Sequence, residues 1–142
     1  MKLVYSYYVL DIVHKGHLLM MKNAKSIAGK DGKLIVGILT DEAVMEKKKK
    51  PILSFEERVE LAYAIEYVDV VVPQETYSPL PNVKRIKPDI LMESTSHTEE
   101  AIKEAEEVMK EIKGEVIVLP YFPTQSSTSI KDKIFEQNGG NN

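Results

Sequence analysis

The 142-residue chain predicts an α/β fold, an open and mostly parallel five-stranded sheet with helices on both faces. Three observations carry this. Apolar runs of strand length alternate with segments whose apolar residues recur every three or four positions, the alternation that builds βαβ units. The clearest run, Leu34-Ile35-Val36-Gly37-Ile38-Leu39, is near-continuously apolar, as parallel strands covered on both faces are. Turn and capping residues fall mostly between these segments rather than within them.

Taken in order, Leu3 to Val9 is rich in Val and Tyr and forms the first strand. Leu18, Met21, Ala24, Ile27 and Ala28 then mark one face of a helix. Lys30-Asp31-Gly32 breaks that pattern before the second strand, Leu34 to Leu39. Beyond a lysine-rich loop, Ser54 and Glu57 make a capping-box pair for a helix with Phe55, Val59, Ala62 and Ile65 inward. Val68 to Val72 is a third buried strand, ended by Pro73. Because Gln74 to Pro88 contains Pro79, Pro81 and Pro88, it is expected to be loop with at most a short helix near Asn82 to Ile86. Asp89 to Met92 is the fourth strand. Ser96 and Glu99 predict a second capping box, opening an amphipathic helix whose stripe is Ala101, Ile102, Ala105, Val108, Met109 and Ile112. Gly114 stops it, Val116 to Leu119 is the fifth strand, and a last helix runs from Ser127 to Phe135. One domain is expected over 1–137, with 138–142 a disordered tail. Sheets of this Rossmann-like class bind ligands beyond the carboxyl ends of their strands.

Composition excludes several classes of function. With 43% hydrophobic residues and only 7 Gly and 7 Pro, global disorder is excluded. Nineteen Lys plus Arg against 22 Asp plus Glu give a net charge of -3, so there is no overall basic field to bind nucleic acid by counterion release. With no cysteine there is no disulfide, thiolate zinc site or Cys nucleophile. The apolar runs are far shorter than the roughly 20 residues of a membrane span, and no secretory leader is recognisable. A soluble, cytoplasmic protein is expected.

The sharpest local feature is Asp11-Ile12-Val13-His14-Lys15-Gly16-His17, at the end of the first strand and the start of the first helix. Backbone N–H groups and the dipole at a helix N-terminus attract phosphate, and Gly16 lets a ligand approach the main chain. His14 and His17, three residues apart, face one ligand and add two donors. The competing reading is a pair of histidines that only cap the helix. A metal pair is disfavoured, since catalytic zinc needs a third protein ligand and His97 is remote in sequence. The run Lys47 to Lys50 is a solvated loop or, in part, a flexible cover for a polyphosphate. Tyr5, Tyr7 and Tyr8 read as strand packing.

These residues resemble the nucleotidyltransferases with a His-x-Gly-His signature, in particular cytidylyltransferases of the glycerol-phosphate and phosphonate type. The resemblance runs through the first strand and signature, through Leu34 to Glu42 with its Thr-Asp-Glu, and through Lys48 to Arg58. It continues in Val72 to Thr76, Lys87-Pro88-Asp89, Pro120-Tyr121 and Ser126 to Lys131. It implies that His14, His17 and Lys48 are catalytic, the histidines stabilising the transition state at the α-phosphorus and Lys48 neutralising the triphosphate. It likewise implies that Asp11, Gly16, Arg58, Ser127 and Thr128 bind nucleotide or phosphate. Ser94-Thr95-Ser96-His97 stands where many members have Gly-Asp-Asp-Trp, and Thr124-Gln125 where many have Gly-Ile. His97 and Tyr121 are thus candidate base or acceptor contacts, against the reading of His97 as a solvent-facing histidine at a helix cap. The implied reaction is transfer of CMP from CTP to a small phosphate- or phosphonate-bearing acceptor with release of pyrophosphate. Magnesium accompanies the nucleotide, no protein metal site is required, and a homodimer is expected. Two alternatives remain open: an ATP-using adenylyltransferase acting on a sugar phosphate, flavin or pantetheine phosphate, and a non-catalytic nucleotide-binding regulatory domain. Phosphate nearby is expected to raise the histidine pKa values.

Overall fold

The computed structural model describes residues 1–120 and 127–138, without the side chains of 127–130, 135 and 138. In chain order the elements are β1 (Leu3–Tyr8), α1 (Lys15–Ala28), β2 (Lys33–Leu39), α2 (Asp41–Met45), α3 (Phe55–Tyr63) and β3 (Val70–Gln74). They continue with α4 (Leu80–Ile86), β4 (Ile90–Ser94), α5 (Glu99–Glu111), β5 (Glu115–Leu119) and α6 (Ser127–Asn138). The strands form one sheet in the order β3-β2-β1-β4-β5. Every pairing is parallel, so the sheet is Rossmann-like, with its topological switch between β1 and β4. No helix among the described residues is long and apolar enough to cross a membrane.

Alternation along the strands separates two cores. Val4, Leu34, Val36, Ile38, Ile90 and Met92 point to one face and pack with Met21, Ala24 and Ala28 of α1 and Ala62 of α3. Tyr5, Ile35 and Leu91 point to the other and pack with Leu80 and Val83 of α4 and Ala105, Val108 and Met109 of α5. Each fully buried aliphatic side chain of this kind contributes roughly 1.5–3 kcal/mol relative to exposure. The central strands are thereby fixed in register, since a one-residue slip would exchange the two faces.

Several expectations change. The third strand is shifted to Val70–Gln74 and is an edge strand, with Val70 40% exposed rather than buried. Pro73 lies within it, paired opposite Ile38, because an edge strand tolerates a missing N–H. Leu18, on the expected inner stripe of α1, is exposed. The Ser54–Glu57 capping box is present, but α5 is capped by Thr98, whose hydroxyl accepts from the Ala101 N–H. Ser96 instead pairs with Ser94 in the preceding turn. The five-residue α2, capped by Thr40, stands between β2 and the lysine-rich segment and was not expected from the sequence. The tail expected at 138–142 lies outside the described residues, except that Asn138 ends α6.

A buried polar chain crosses the second core. The Tyr5 hydroxyl donates to Gln74 Oε1 at 2.6 Å and accepts from Asn82 Nδ2 at 3.0 Å. Gln74 Nε2 donates to the carbonyls of Thr76 and Tyr77. Gly37 leaves the space that the Tyr5 hydroxyl occupies, since a Cβ there would collide with it. The chain sets the position of the loop after β3, and so of Tyr77.

Candidate active site

The loop after β1 turns sharply at Leu10, which has φ 63° and no exposed surface. This left-handed conformation costs a branched residue about 1–2 kcal/mol, offset by burial of the side chain, and it sets the direction in which Asp11 and His14 leave the sheet. Asp11 is 2% exposed. Its carboxylate accepts from the N–H groups of Ile52 and Leu53 at 2.9 and 2.8 Å and pairs with Lys131 of α6. Burial alone would push its pKa up; the Leu53, Lys131 and Ile52 hydrogen bonds outweigh that and hold it below the usual range. Asp11 thus fastens three segments together. The resemblance assigned it to phosphate, but its acceptor positions are turned to the protein's own donors.

His14 is the N-cap of α1. Its Nδ1 accepts from the Gly16 N–H at 3.0 Å, while the His14 N–H donates to His17 Nδ1 at 3.3 Å, completing a capping box. The rings lie 4.0 Å apart between centroids. An Nδ1 that accepts a backbone N–H carries no proton, so each neutral ring holds its proton on Nε2. Capping and ligand binding, rivals in the sequence, therefore use opposite edges of the same rings. Burial lowers the pKa of His14; burial, and then the charge of His14, lowers that of His17 to about 4. Without an anion present both rings are neutral at pH 7, opposite to the rise expected for a phosphate-bound state. Tyr8 packs edge-on against His17 at 5.8 Å.

Arg58 has no exposed surface. Its guanidinium donates to the carbonyls of Leu53, Val9 and Leu39 and to Asp41 Oδ1 at 2.7 Å. The expected phosphate ligand is therefore an interior brace that joins the ends of β1 and β2 to α2 and α3. The unmade carbonyl bonds at two strand ends attract the guanidinium more strongly than solvent does, because a buried acceptor left unpaired costs about 1–3 kcal/mol.

On the opposite face of β1, Tyr7 opens onto a pocket of about 320 Å³ that is lined also by Lys47, Tyr77, Glu93 and His97. The Tyr7 hydroxyl donates to both Glu93 carboxylate oxygens, at 3.0 and 2.8 Å. His97 Nε2 lies 3.7 Å from Glu93 Oε2, and its ring is 5.7 Å from that of Tyr7. Burial raises Glu93 to about 7, with the Tyr7 hydrogen bond opposing. Burial, then the charges of Lys48 and Lys47, lower His97. The two consequently meet at neutral pH as a weakly charged pair. His97 is half-buried in this pocket, not solvent-facing at a helix cap. Lys47, rather than Lys48, lines the pocket and stands over the Tyr77 ring at 5.1 Å, while Glu46 accepts from the Tyr77 N–H at 2.9 Å.

The carboxyl ends of β1 and β4 thus carry a histidine cradle on one side and this pocket on the other. Gly16 lies in the cradle, and the backbone of Ser127 and Thr128 opens α6, on the helix that Lys131 ties to Asp11. Tyr121 lies outside the described residues, as do Thr124 and Gln125. Sequence reasoning missed Glu93, Tyr7, Tyr77 and Lys131. Glu93 left a readable signal, an acid that directly follows the apolar run Ile90-Leu91-Met92. Among the described residues, no three His, Asp or Glu side chains converge as metal ligands.

The doubly wound sheet with a capping His-x-Gly-His at its switch point defines a nucleotidyltransferase. The family described as Cytidylyltransferase-like matches residues 9–133, and the chain belongs to it. Similar proteins include the FAD synthase of Korarchaeum cryptofilum, 34% identical over 128 residues covering 89% of this chain and 86% of that one. The FAD synthase of Thermococcus kodakarensis is 38% identical over 121 residues, 80% of this chain and 76% of that one. The bifunctional protein HldE of Campylobacter fetus is 32% identical over 126 residues, 87% of this chain but only 26% of the relative. In fold, the chain resembles a lipopolysaccharide core biosynthesis protein from Thermoplasma volcanium, with TM-score 0.70, 24% identity and coverage of 86% and 97% of the two chains.

Proposed function

We propose that the protein transfers the adenylyl group of ATP to the phosphate of a small acceptor and releases pyrophosphate. The observation that carries this is the histidine capping box: Nδ1 of each ring serves the helix and leaves an Nε2–H donor edge at the N-terminus of α1. An acceptor phosphate oxygen attacks the α-phosphorus, the bond from that phosphorus to the α,β-bridging oxygen breaks, and pyrophosphate leaves with the electron pair. The acceptor oxyanion is already a nucleophile, so the protein contributes alignment and charge stabilisation. His14 and His17 act on the α-phosphate. Lys48, with Lys47, offsets the triphosphate charge, and Gly16 and the N-terminus of α6 at Ser127 and Thr128 add backbone donors. Asp11 and Arg58 act as positioning residues. Magnesium arrives with the triphosphate as part of the substrate, held by phosphates and water as its chemistry favours.

Two of the relatives are named FAD synthases, and FAD contains an AMP half, which supports ATP over the CTP that the resemblance implied. The family's own description keeps CTP as a second reading. Thermal unfolding with ATP–magnesium and with CTP–magnesium tests both, because a ligand at 100 times its Kd adds about 2.7 kcal/mol. The expected result is a larger shift with ATP that the His14→Ala, His17→Ala double variant loses. A shift confined to CTP would favour the second reading, and no shift with either would refute the cradle.

A further inference from the structure

We propose that Tyr5, Gln74 and Asn82 are positioning residues for nucleotide binding: their buried chain of hydrogen bonds holds Tyr77, and Tyr77 holds the start of the lysine-rich loop at Lys47 and Lys48. This rests on the transfer reading above, in which those lysines offset the triphosphate charge.

The chain runs in one direction. Arg85 can only donate, and its guanidinium donates to Asn82 Oδ1. That turns Asn82 Nδ2 toward the Pro73 carbonyl at 2.9 Å and the Tyr5 oxygen at 3.0 Å. The Tyr5 hydroxyl then gives its proton to Gln74 Oε1 at 2.6 Å, and burial, which pushes its pKa up to about 12, keeps that proton in place. Gln74 is 1% exposed. With Oε1 engaged, its Nε2 faces the carbonyls of Thr76 and Tyr77 at 3.1 and 3.2 Å. Reversing any one amide would set donor against donor in an interior where unpaired polar groups are costly. The loop after β3 is therefore held in one arrangement.

That loop reaches the lysines through α2. The Gln74 carbonyl accepts from the N–H of Thr40, the N-cap of α2, at 3.0 Å. Tyr77 packs on Leu39, Ala43 and Val44, donates its N–H to Glu46 at 2.9 Å and lies under the Lys47 ammonium. The N–H groups of Lys47 and Lys48 both donate to the Val44 carbonyl, at 3.1 and 2.9 Å. Both lysines thus leave from the end of a helix that Gln74 and Tyr77 fasten. Their charges are felt at His97, where they lower its pKa, so they stand at the carboxyl end of β4, where such sheets bind ligands. Asp11 holds the far end of the loop through Ile52 and Leu53. A loop fixed at both ends has less freedom to lose when ligand arrives, which raises affinity without an added contact. Tyr5 and Gln74 act on the triphosphate in this way without touching it.

The test is isothermal titration calorimetry of wild type with ATP–magnesium and with CTP–magnesium, the tighter nucleotide then being carried through the variants. These are Tyr5→Phe, Gln74→Met, Tyr77→Ala, the pair Lys47→Met with Lys48→Met, and that pair combined with Gln74→Met. Tyr5→Phe and Gln74→Met should each weaken binding about three- to ten-fold, the scale of one neutral hydrogen bond. Val108→Ala, which thins the same core away from the chain, should stay within about two-fold. The lysine pair should weaken binding at least as much as Gln74→Met. Adding Gln74→Met to that pair should then cost less than about two-fold more, because no lysine is left to place. Tyr77→Ala breaks the last link at a half-buried position and reads the same linkage should either core variant fail to fold. Unchanged binding in Gln74→Met and Tyr77→Ala, full additivity with the lysine pair, or an equal loss in Val108→Ala overturns this inference and leaves the transfer reading standing. Binding of neither nucleotide to wild type overturns both.

Discussion

Replacing Glu93 by Gln probes the electrostatics of the pocket through stability alone, with no substrate present. Burial raises the Glu93 carboxyl from 4.5 to about 7. The folded state then binds a proton that the unfolded state has released, so stability falls as pH rises from about 4.5 to 7. A rise of that size corresponds to about 3 kcal/mol. Part of this is already present at pH 5, where the unfolded carboxyl is mostly ionised. Solvent screening at the open side of the pocket removes a further part, leaving about 1–2 kcal/mol between pH 5 and pH 8. Glutamine has nearly the same shape, still accepts from the Tyr7 hydroxyl and does not ionise. Measured by urea unfolding with far-ultraviolet circular dichroism, the stability of Glu93→Gln relative to wild type should therefore increase by that amount from pH 5 to pH 8. Taking the difference cancels most other titrating groups, leaving His97 as the coupled neighbour. A relative stability that is unchanged or lower at pH 8 would refute the reasoning and return Glu93 to an ordinary carboxylate.

Other outcomes follow from the cradle and its supports. His14→Asn keeps an oxygen to accept the Gly16 N–H and removes the Nε2 edge, so it should melt within about 1 kcal/mol of wild type while kcat falls about 10²–10³-fold; urea unfolding and pyrophosphate release measure the two. His17, lowered to about 4, contributes stability that is fully present above pH 6.5 and is lost as pH falls toward 4. Because each Nδ1 already accepts a backbone N–H, the rings meet polyphosphate as neutral Nε2–H donors, so calorimetry at pH 7 in two buffers of different ionisation heat should show nearly equal heats on nucleotide binding. Uptake of a proton would mean that a capping bond is broken when the nucleotide binds. Asp11→Asn removes the charge that holds Ile52, Leu53 and Lys131, and amide exchange at residues 52 and 53 should quicken relative to the strand core.

What the sequence disclosed was local. The β1–α1–β2 unit, the Ser54–Glu57 box and the amphipathic α5 depend on spacings within a few residues, and their chemistry is readable from composition. The N-cap of α5 depends on a competition between Ser96 and Thr98 that the Ser94–Ser96 turn decides. Pro73 could be placed inside a strand only once β3 was known to be an edge. The site divides similarly. His14, Gly16 and His17 were legible because helix start and phosphate chemistry coincide in one heptapeptide. Arg58 was misread because its partners, the carbonyls of Val9 and Leu39, are distant in sequence. Tyr7 and Glu93 lie 86 residues apart, and only the β1–β4 pairing joins them.

The central claim is that a nucleoside triphosphate is cleaved between its α- and β-phosphorus at the His14–His17 cradle. Phosphorus NMR of ATP–magnesium with glycerol 3-phosphate, a hexose 1-phosphate and FMN as acceptors, for wild type and His14→Asn, tests this most directly. Pyrophosphate accompanied by a new diphosphate-bridged product, formed by wild type and nearly absent with His14→Asn, is the expected result. Intact ATP, or inorganic phosphate with ADP from cleavage between the β- and γ-phosphorus, would contradict it.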